Sequence, residues 1–292
     1  MDIIKSTAKW EVRLFALASV LIVAVWRAGN CGATDEAGSA AIVGIGGAYA
    51  GSADDAATIW LNPALTAFST SFVTGSLATR NLYQLEALRE RTGSVTVRIA
   101  KRAVVGAGFA QFGQPGLYTE SHGVMIVSAE PWRKWTVGAG VRYDRVEFGD
   151  NTKAYSGSSI DLGVASRPLR QMVACAVISG ITIDRLYESY TVPAVVEMSA
   201  AWEGPELTLA GVWSKSSGES SRFGIGQSLQ VARDLPLGVS LTFLSGLRLD
   251  PIRYSLGARI LARGGSLDYA YQSHPDLGGT HVLGVTFRFG GR

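Results

Sequence analysis

The chain has 292 residues, of which 47% are hydrophobic and only 17% charged, with 35 glycines and a mean hydropathy of +0.18. That balance is too apolar and too glycine-rich for an ordinary soluble helical domain, and the length suits one sizeable β domain. The net charge of +3 partly reflects basic residues near the start, and no basic patch interleaved with aromatics stands out, so neither an acidic partner nor nucleic acid is expected.

In chain order, Lys5, Lys9 and Arg13 precede an apolar run over 14–26, and the small residues Ala28, Gly29, Gly32 and Ala33 follow. This pattern predicts a secretory signal over residues 1–33, cleaved after Ala33. The run falls short of the ~20 residues a spanning helix needs, and no later run reaches that length. Asn30 is not the small residue that a lipid-attachment box wants before Cys31. Loss of Cys31 with the leader leaves Cys175 alone, so no internal disulfide is expected.

Residues 34–70 form the one later segment without strand character. Gly44, Gly46, Gly47 and Gly51 permit close-packed backbone, Asp54 and Asp55 stand where carboxylates favour the start of a short helix, and Asn62-Pro63 stops it. The segment reads as a plug inside a barrel or as a helical cap on a soluble domain. A nucleotide loop does not fit, because the third glycine of GxGxxG is missing and no Gly-Lys-Ser/Thr follows.

From Ser71 onward apolar residues recur with period two in segments of roughly ten residues, the length a tilted strand needs to cross a bilayer. Trp135, Val137, Ala139, Val141 and Tyr143 alternate with Thr136, Gly138, Gly140, Arg142 and Asp144, and Phe223 and Ile225 with Gly224 and Gly226. About fourteen such segments are expected over 71–292, with connections that alternate between longer ones and tight ones such as Lys101-Arg102 and Gly264-Gly265. The predicted fold is therefore all-β, a transmembrane up-and-down antiparallel barrel with both termini on the periplasmic side of the bacterial outer membrane. Closure is required, because an open edge in lipid would strand backbone donors.

Parity places Arg98, Arg142, Asp144, Glu197, Arg259, Asp268 and Arg288 on the lumenal face, where they can pair with one another or with the plug. Asp54 or Asp55 is expected to meet one of the lumenal arginines. Trp135, Tyr143, Trp202, Trp213, Tyr254, Tyr269 and Tyr271 lie near strand ends and suit interfacial girdles. The first outer connection, 81–91, carries Leu82, Leu85 and Leu88 at helical spacing and reads as a short amphipathic helix on the rim. His122, His274 and His281 lack metal-ligand spacing and no GxSxG is present, so no catalysis, metal or cofactor is expected.

The run Gly46-Gly47-Ala48, Ala53-Asp54-Asp55-Ala56, Asn62-Pro63-Ala64 resembles the N-terminal segment of FadL and PorV/PorQ outer-membrane barrels. Those families place this segment inside the barrel. The last strand, with Gly284, Phe287 and Phe289, resembles the C-terminal signal recognised by the barrel-assembly machinery, although Val282 stands where that pattern prefers a polar residue. The preceding 267–281 is similar to the end of PorV/PorQ proteins. Likeness to FadL implies passage of hydrophobic small molecules, and likeness to PorV/PorQ implies a shuttle or scaffold that handles secreted cargo for a type IX secretion system. The outer connections are short and polar, which departs from the large apolar entry loops of FadL relatives.

Overall fold

The computed structural model describes residues 38–52, 54–149, 154–185, 193–217, 219–235, 238–249 and 251–290; the expected leader, with its cleavage after Ala33, lies outside them. Fourteen strands follow one another: β1 (Val73–Asn81), β2 (Arg89–Ala100), β3 (Ala103–Gln114), β4 (Tyr118–Trp132), β5 (Trp135–Phe148), β6 (Ala154–Ser166) and β7 (Met172–Asp184) form the first half. The second half is β8 (Val195–Glu203), β9 (Leu207–Ser216), β10 (Ser221–Leu235), β11 (Val239–Leu249), β12 (Arg253–Ala262), β13 (Gly265–His274) and β14 (Gly278–Phe289). Each pairs antiparallel with its sequence neighbours, and β14 returns to β1 with Val73 opposite Phe289 and Asn81 opposite His281. The sheet is thus a closed barrel, and every strand finds partners on both sides.

The two faces follow the two-residue period. On β5, Thr136, Arg142 and Asp144 are buried in the lumen, while Val137, Val141 and Tyr143 are exposed on the outside. The same outward face carries Leu77, Met125, Ile225, Phe243, Leu267 and Leu283 around the circumference. A continuous apolar belt of this kind has no place in water and is the surface that meets lipid. Among the described residues no helix is long and apolar enough to cross a membrane; the strands do the crossing. Tyr143, Trp202, Tyr254 and Tyr269 are exposed on the outer face, and Trp135, Trp213 and Tyr271 share their parity.

Two local readings are corrected. The strands run further than the alternation of the sequence indicates, so connections at the end opposite the termini shrink to 115–117 and 275–277, little longer than 101–102 or 263–264 at the other end. The first connection is not an amphipathic helix. It makes two 3₁₀ turns, Leu82–Gln84 and Glu86–Leu88, broken where Tyr83 and Gln84 adopt left-handed φ values of 53° and 62°. The Tyr83 N–H donates to Thr280 Oγ1 at 3.3 Å and its ring meets His274 edge-on, so the loop lies on the rim over β13 and β14 with Leu85 exposed.

Candidate functional site: the plugged lumen

The described residues of 38–69 precede the first strand and fill the barrel interior. Helix α1 (Ala40–Gly44) is capped by Ser39, whose hydroxyl accepts from the Ile42 N–H at 3.4 Å. One side of α1 packs Ala40 and Val43 against Ala270 and Val282 of the wall, and Ala41 with Ile45 packs against Leu244. Gly46 and Gly47 then turn the chain with φ of 65° and 82°, the left-handed region that glycine enters without steric cost.

Three 3₁₀ turns complete the plug. The first, Tyr49–Gly51, rests on the β7–β9 wall, and the Ala50 N–H donates to Ser199 Oγ at 3.3 Å. The second, Ala56–Trp60, is capped by Asp55, which accepts from the Ala57 N–H at 2.9 Å. The third, Pro63–Phe68, is capped by Asn62, which accepts from the Ala64 N–H at 3.0 Å. Asn62-Pro63 therefore ends one turn and begins the next; Pro63 sits at the first helical position, where its missing N–H costs nothing.

The wall is shaped to receive this segment. Gly226 and Gly246 leave room for the Ile45 and Gly46 backbone, Gly138 and Gly163 for Asn62 to Ala64, Gly108 for Ile59 and Trp60, and Gly284 for Ala40. A methyl group at Gly108 would stand 2.8 Å from both Ile59 and Trp60 side chains. Apolar contacts fill the rest: Ile42, Tyr49, Ala57 and Leu65 with Val173, Ala165 and Cys175, and Ile59 and Trp60 with Ala110, Val124 and Ile126.

All seven charges predicted to be lumenal stand on the inner face. Arg142 donates to Asp161 at 2.7 Å and to the Trp60 carbonyl at 3.1 Å. Arg98 donates to the carbonyls of Ser69 and Ala67. Arg288 donates to the Asp54 carbonyl at 3.1 Å. Arg259 binds Asp268 at 2.6 Å and stands 3.9 Å from Asp55, so the plug carboxylate is its second partner. Asp144 contacts His122 at 2.7 Å. Glu197 shares a cavity with Ile42 and Val43 of α1. Asp54 itself is exposed and accepts from the Thr70 N–H at 3.2 Å.

Sequence reasoning missed Asp161, which parity alone places inward between the outward Ile160 and Leu162. It also missed the grouping of Glu120, His122 and Asp144, where each ring nitrogen of His122 faces one carboxylate, at 3.3 and 2.7 Å. That grouping depends on strand register, His122 opposite Asp144, which composition does not carry. Among the described residues no group of side chains is arranged to hold a metal ion. On the C-terminal strand, Leu283, Val285 and Phe289 are exposed outside, Phe287 shares their parity, and Gly284 faces the plug.

Beside α1 the plug leaves a cavity of about 40 Å³. Its lining is mixed, with Ile42, Val43, Leu61 and Val212 beside Glu197, Arg222 and Arg248. The space suits only a few water molecules, so a larger molecule enters this cavity only if plug or wall moves.

No family model and no curated protein matches the sequence. Solved structures do match. The chain is similar to the Ralstonia pickettii toluene transporter TbuX, with a TM-score of 0.65 at 11% identity over 87% of this chain and 99% of that one. It is similar to a Pseudomonas aeruginosa FadL homologue at TM-score 0.61 and 14% identity, covering 86% and 98%, and to the Pseudomonas putida toluene transporter TodX at 0.59 and 11%, covering 86% and 97%. At such identities the likeness shows a shared fold, the fourteen-stranded FadL-type barrel.

Proposed function

We propose that the chain is a channel of the bacterial outer membrane that passes small hydrophobic molecules past its plug. One observation carries this reading: the plug is seated in a polar and glycine-lined wall through four clusters of buried apolar side chains. An aqueous pore has a polar, water-filled interior. Here Val43, Ile45, Ile59 and Leu65 of the plug are buried with Val282, Leu244, Val124 and Val173 of the wall, respectively. A molecule crossing along this seam exchanges one apolar contact for another, whereas a sugar or ion would have to shed its hydration. Likeness to barrels named as toluene transporters supports the same reading. The end with both termini would face the periplasm, and Phe287 and Phe289 would serve the assembly machinery.

The test uses liposomes with an outer leaflet of lipopolysaccharide, which retards apolar solutes, and with the full chain inserted. Radiolabelled toluene should enter faster than into empty liposomes, and arabinose should not. Equal acceleration of both would make the barrel an aqueous pore and overturn the proposal. The PorV-like alternative rests on the resemblance of the two chain ends. It replaces the channel if neither solute is accelerated and secreted proteins co-purify with the barrel from its own membrane.

A further inference from the structure

At the end of the barrel opposite the termini the two faces of β3–β6 exchange character. Nearer the middle, the outward row Ala107, Met125, Val141 and Ile160 is apolar and faces lipid. Further out, the outward row Gln111, Ser121, Arg145 and Ser156 is wholly polar, and Arg145 pairs with Glu147. A polar outer face means that this part of the wall has risen out of the lipid. The inward rows beside it carry aromatic rings instead. Phe112, Tyr118, Phe148 and Tyr155 form a continuous arc, with successive ring centroids 6.4, 5.4 and 6.1 Å apart. Interfacial girdle residues point outward; these four point into the mouth.

Beneath the arc lie Glu120, His122 and Asp144. Tyr118 donates its hydroxyl to Glu120, and His122 offers one ring nitrogen to each carboxylate, which takes the doubly protonated imidazolium. Two carboxylates and one imidazolium leave a single negative charge. Among the described residues the nearby cations have carboxylates of their own: Arg142 pairs with Asp161 at 2.7 Å, and Arg80 with Glu90 at 3.1 Å. Asp144 is 3% exposed, and its Oδ2 has no hydrogen-bond partner among the described residues.

We propose that this mouth is a binding site for organic monocations that carry an apolar group, such as quaternary ammonium compounds. Ring faces attract cations through their quadrupole, and a bulky ammonium that cannot donate hydrogen bonds needs ring faces and a nearby, diffuse negative charge. The aromatic arc supplies the first and the net charge of the Glu120, His122 and Asp144 group supplies the second. The proposal rests on the channel reading in that the mouth is where a molecule first meets the barrel, and it names the class that the mouth favours.

The experiment is calorimetric titration of the full chain in nonionic detergent with benzyltrimethylammonium and, separately, with its uncharged carbon isostere neopentylbenzene. The cation should bind about tenfold more tightly, consistent with a cation over partly desolvated rings. Phe148→Ala should weaken the cation. Asp144→Asn, which brings the group to neutrality, should bring the two ligands together. Retained electrophoretic heat-modifiability shows that each variant is a folded barrel, and Tyr155→Leu provides a second variant at the arc should Phe148→Ala not fold. Equal binding of both ligands to the unaltered chain, or no saturable binding of either, would overturn the proposal. Toluene entry into liposomes is read independently, so failure of the cation site and failure of the channel are told apart.

Discussion

Arg142 on β5 joins the wall to the plug through a single guanidinium nitrogen, which donates to Asp161 on β6 at 2.7 Å and to the Trp60 carbonyl at 3.1 Å. Asp161 in turn accepts from the Gly180 N–H at 2.9 Å, where β7 turns through a left-handed glycine (φ 72°) and the β6–β7 register shifts. The plug, two strands and an irregularity in the third are thus held by one buried pair.

Breaking that pair from one side should be more harmful than removing both charges. Arg142→Met leaves the Asp161 carboxylate buried without its counter-charge, a change worth about 3–5 kcal/mol. In Arg142→Met with Asp161→Asn the amide oxygen still accepts from Gly180 and no charge is stranded, so the double variant should be the more stable of the two. The temperature at which the folded band is lost on electrophoresis checks this. A double variant less stable than Arg142→Met would contradict it.

The glycine seat predicts a different effect. At Gly246 the space for a side chain is occupied by the Ile45 and Gly46 backbone, which has no flexible end to move aside. Gly246→Val should therefore push α1 off the wall, at the ~1–3 kcal/mol typical of overpacking. Cys175, 8% exposed behind Tyr49 and Leu65, reports the result. Its maleimide labelling should rise about tenfold, since a bias of ~1.4 kcal/mol toward an open plug is a factor of ten in population. Unchanged labelling in a folded barrel would show that the wall yields instead.

The two neighbouring aspartates of the plug should behave unlike each other. Asp55 is 3% exposed, caps the Ala57 N–H, receives the Ser39 hydroxyl and lies near Arg259. Asp55→Ala should destabilise the plug by about 0.5–2 kcal/mol from the cap alone. Asp54 is exposed, and Arg288 reaches its backbone carbonyl, which Asp54→Ala keeps. That substitution should fall within about 0.5 kcal/mol. Limited proteolysis of the plug in detergent distinguishes them, and equal sensitivity would refute the assignment.

The contrast between these residues shows where the sequence was readable. Strand number and face were legible because lipid outside and polar or glycine residues inside impose a strict two-residue period, as on β5. Strand ends were not: beyond Phe109 and Tyr143 the wall leaves the lipid, outward residues become Ser121 and Arg145, inward ones Tyr118 and Phe148, and the alternation ceases to look like a membrane strand. Inward charges such as Arg142 were found by parity, but their partners depend on register. Leu82, Leu85 and Leu88 show the limit of spacing as evidence. The left-handed Tyr83 and Gln84, the first held by Thr280 and His274, break the helix that the leucines suggest.

Val282 explains a departure in the C-terminal strand and gives a final prediction. The pattern recognised at the end of outer-membrane barrels favours a polar residue there, yet Val282 is fully buried against Ala40 and Val43 of α1 and Ala270 of β13. We attribute this valine to packing against the plug rather than to insertion. Val282→Thr keeps the volume but places a hydroxyl in this apolar contact, at a cost of about 1–3 kcal/mol if no partner is found. The variant should reach the membrane at the usual rate if Gly284, Phe287 and Phe289, which it leaves untouched, are the insertion signal as proposed, while α1 becomes more sensitive to protease than in the unaltered chain. Pulse-chase assembly and limited proteolysis read the two effects separately. Slowed assembly with an unaltered plug would reverse the assignment and make Val282 part of the insertion signal.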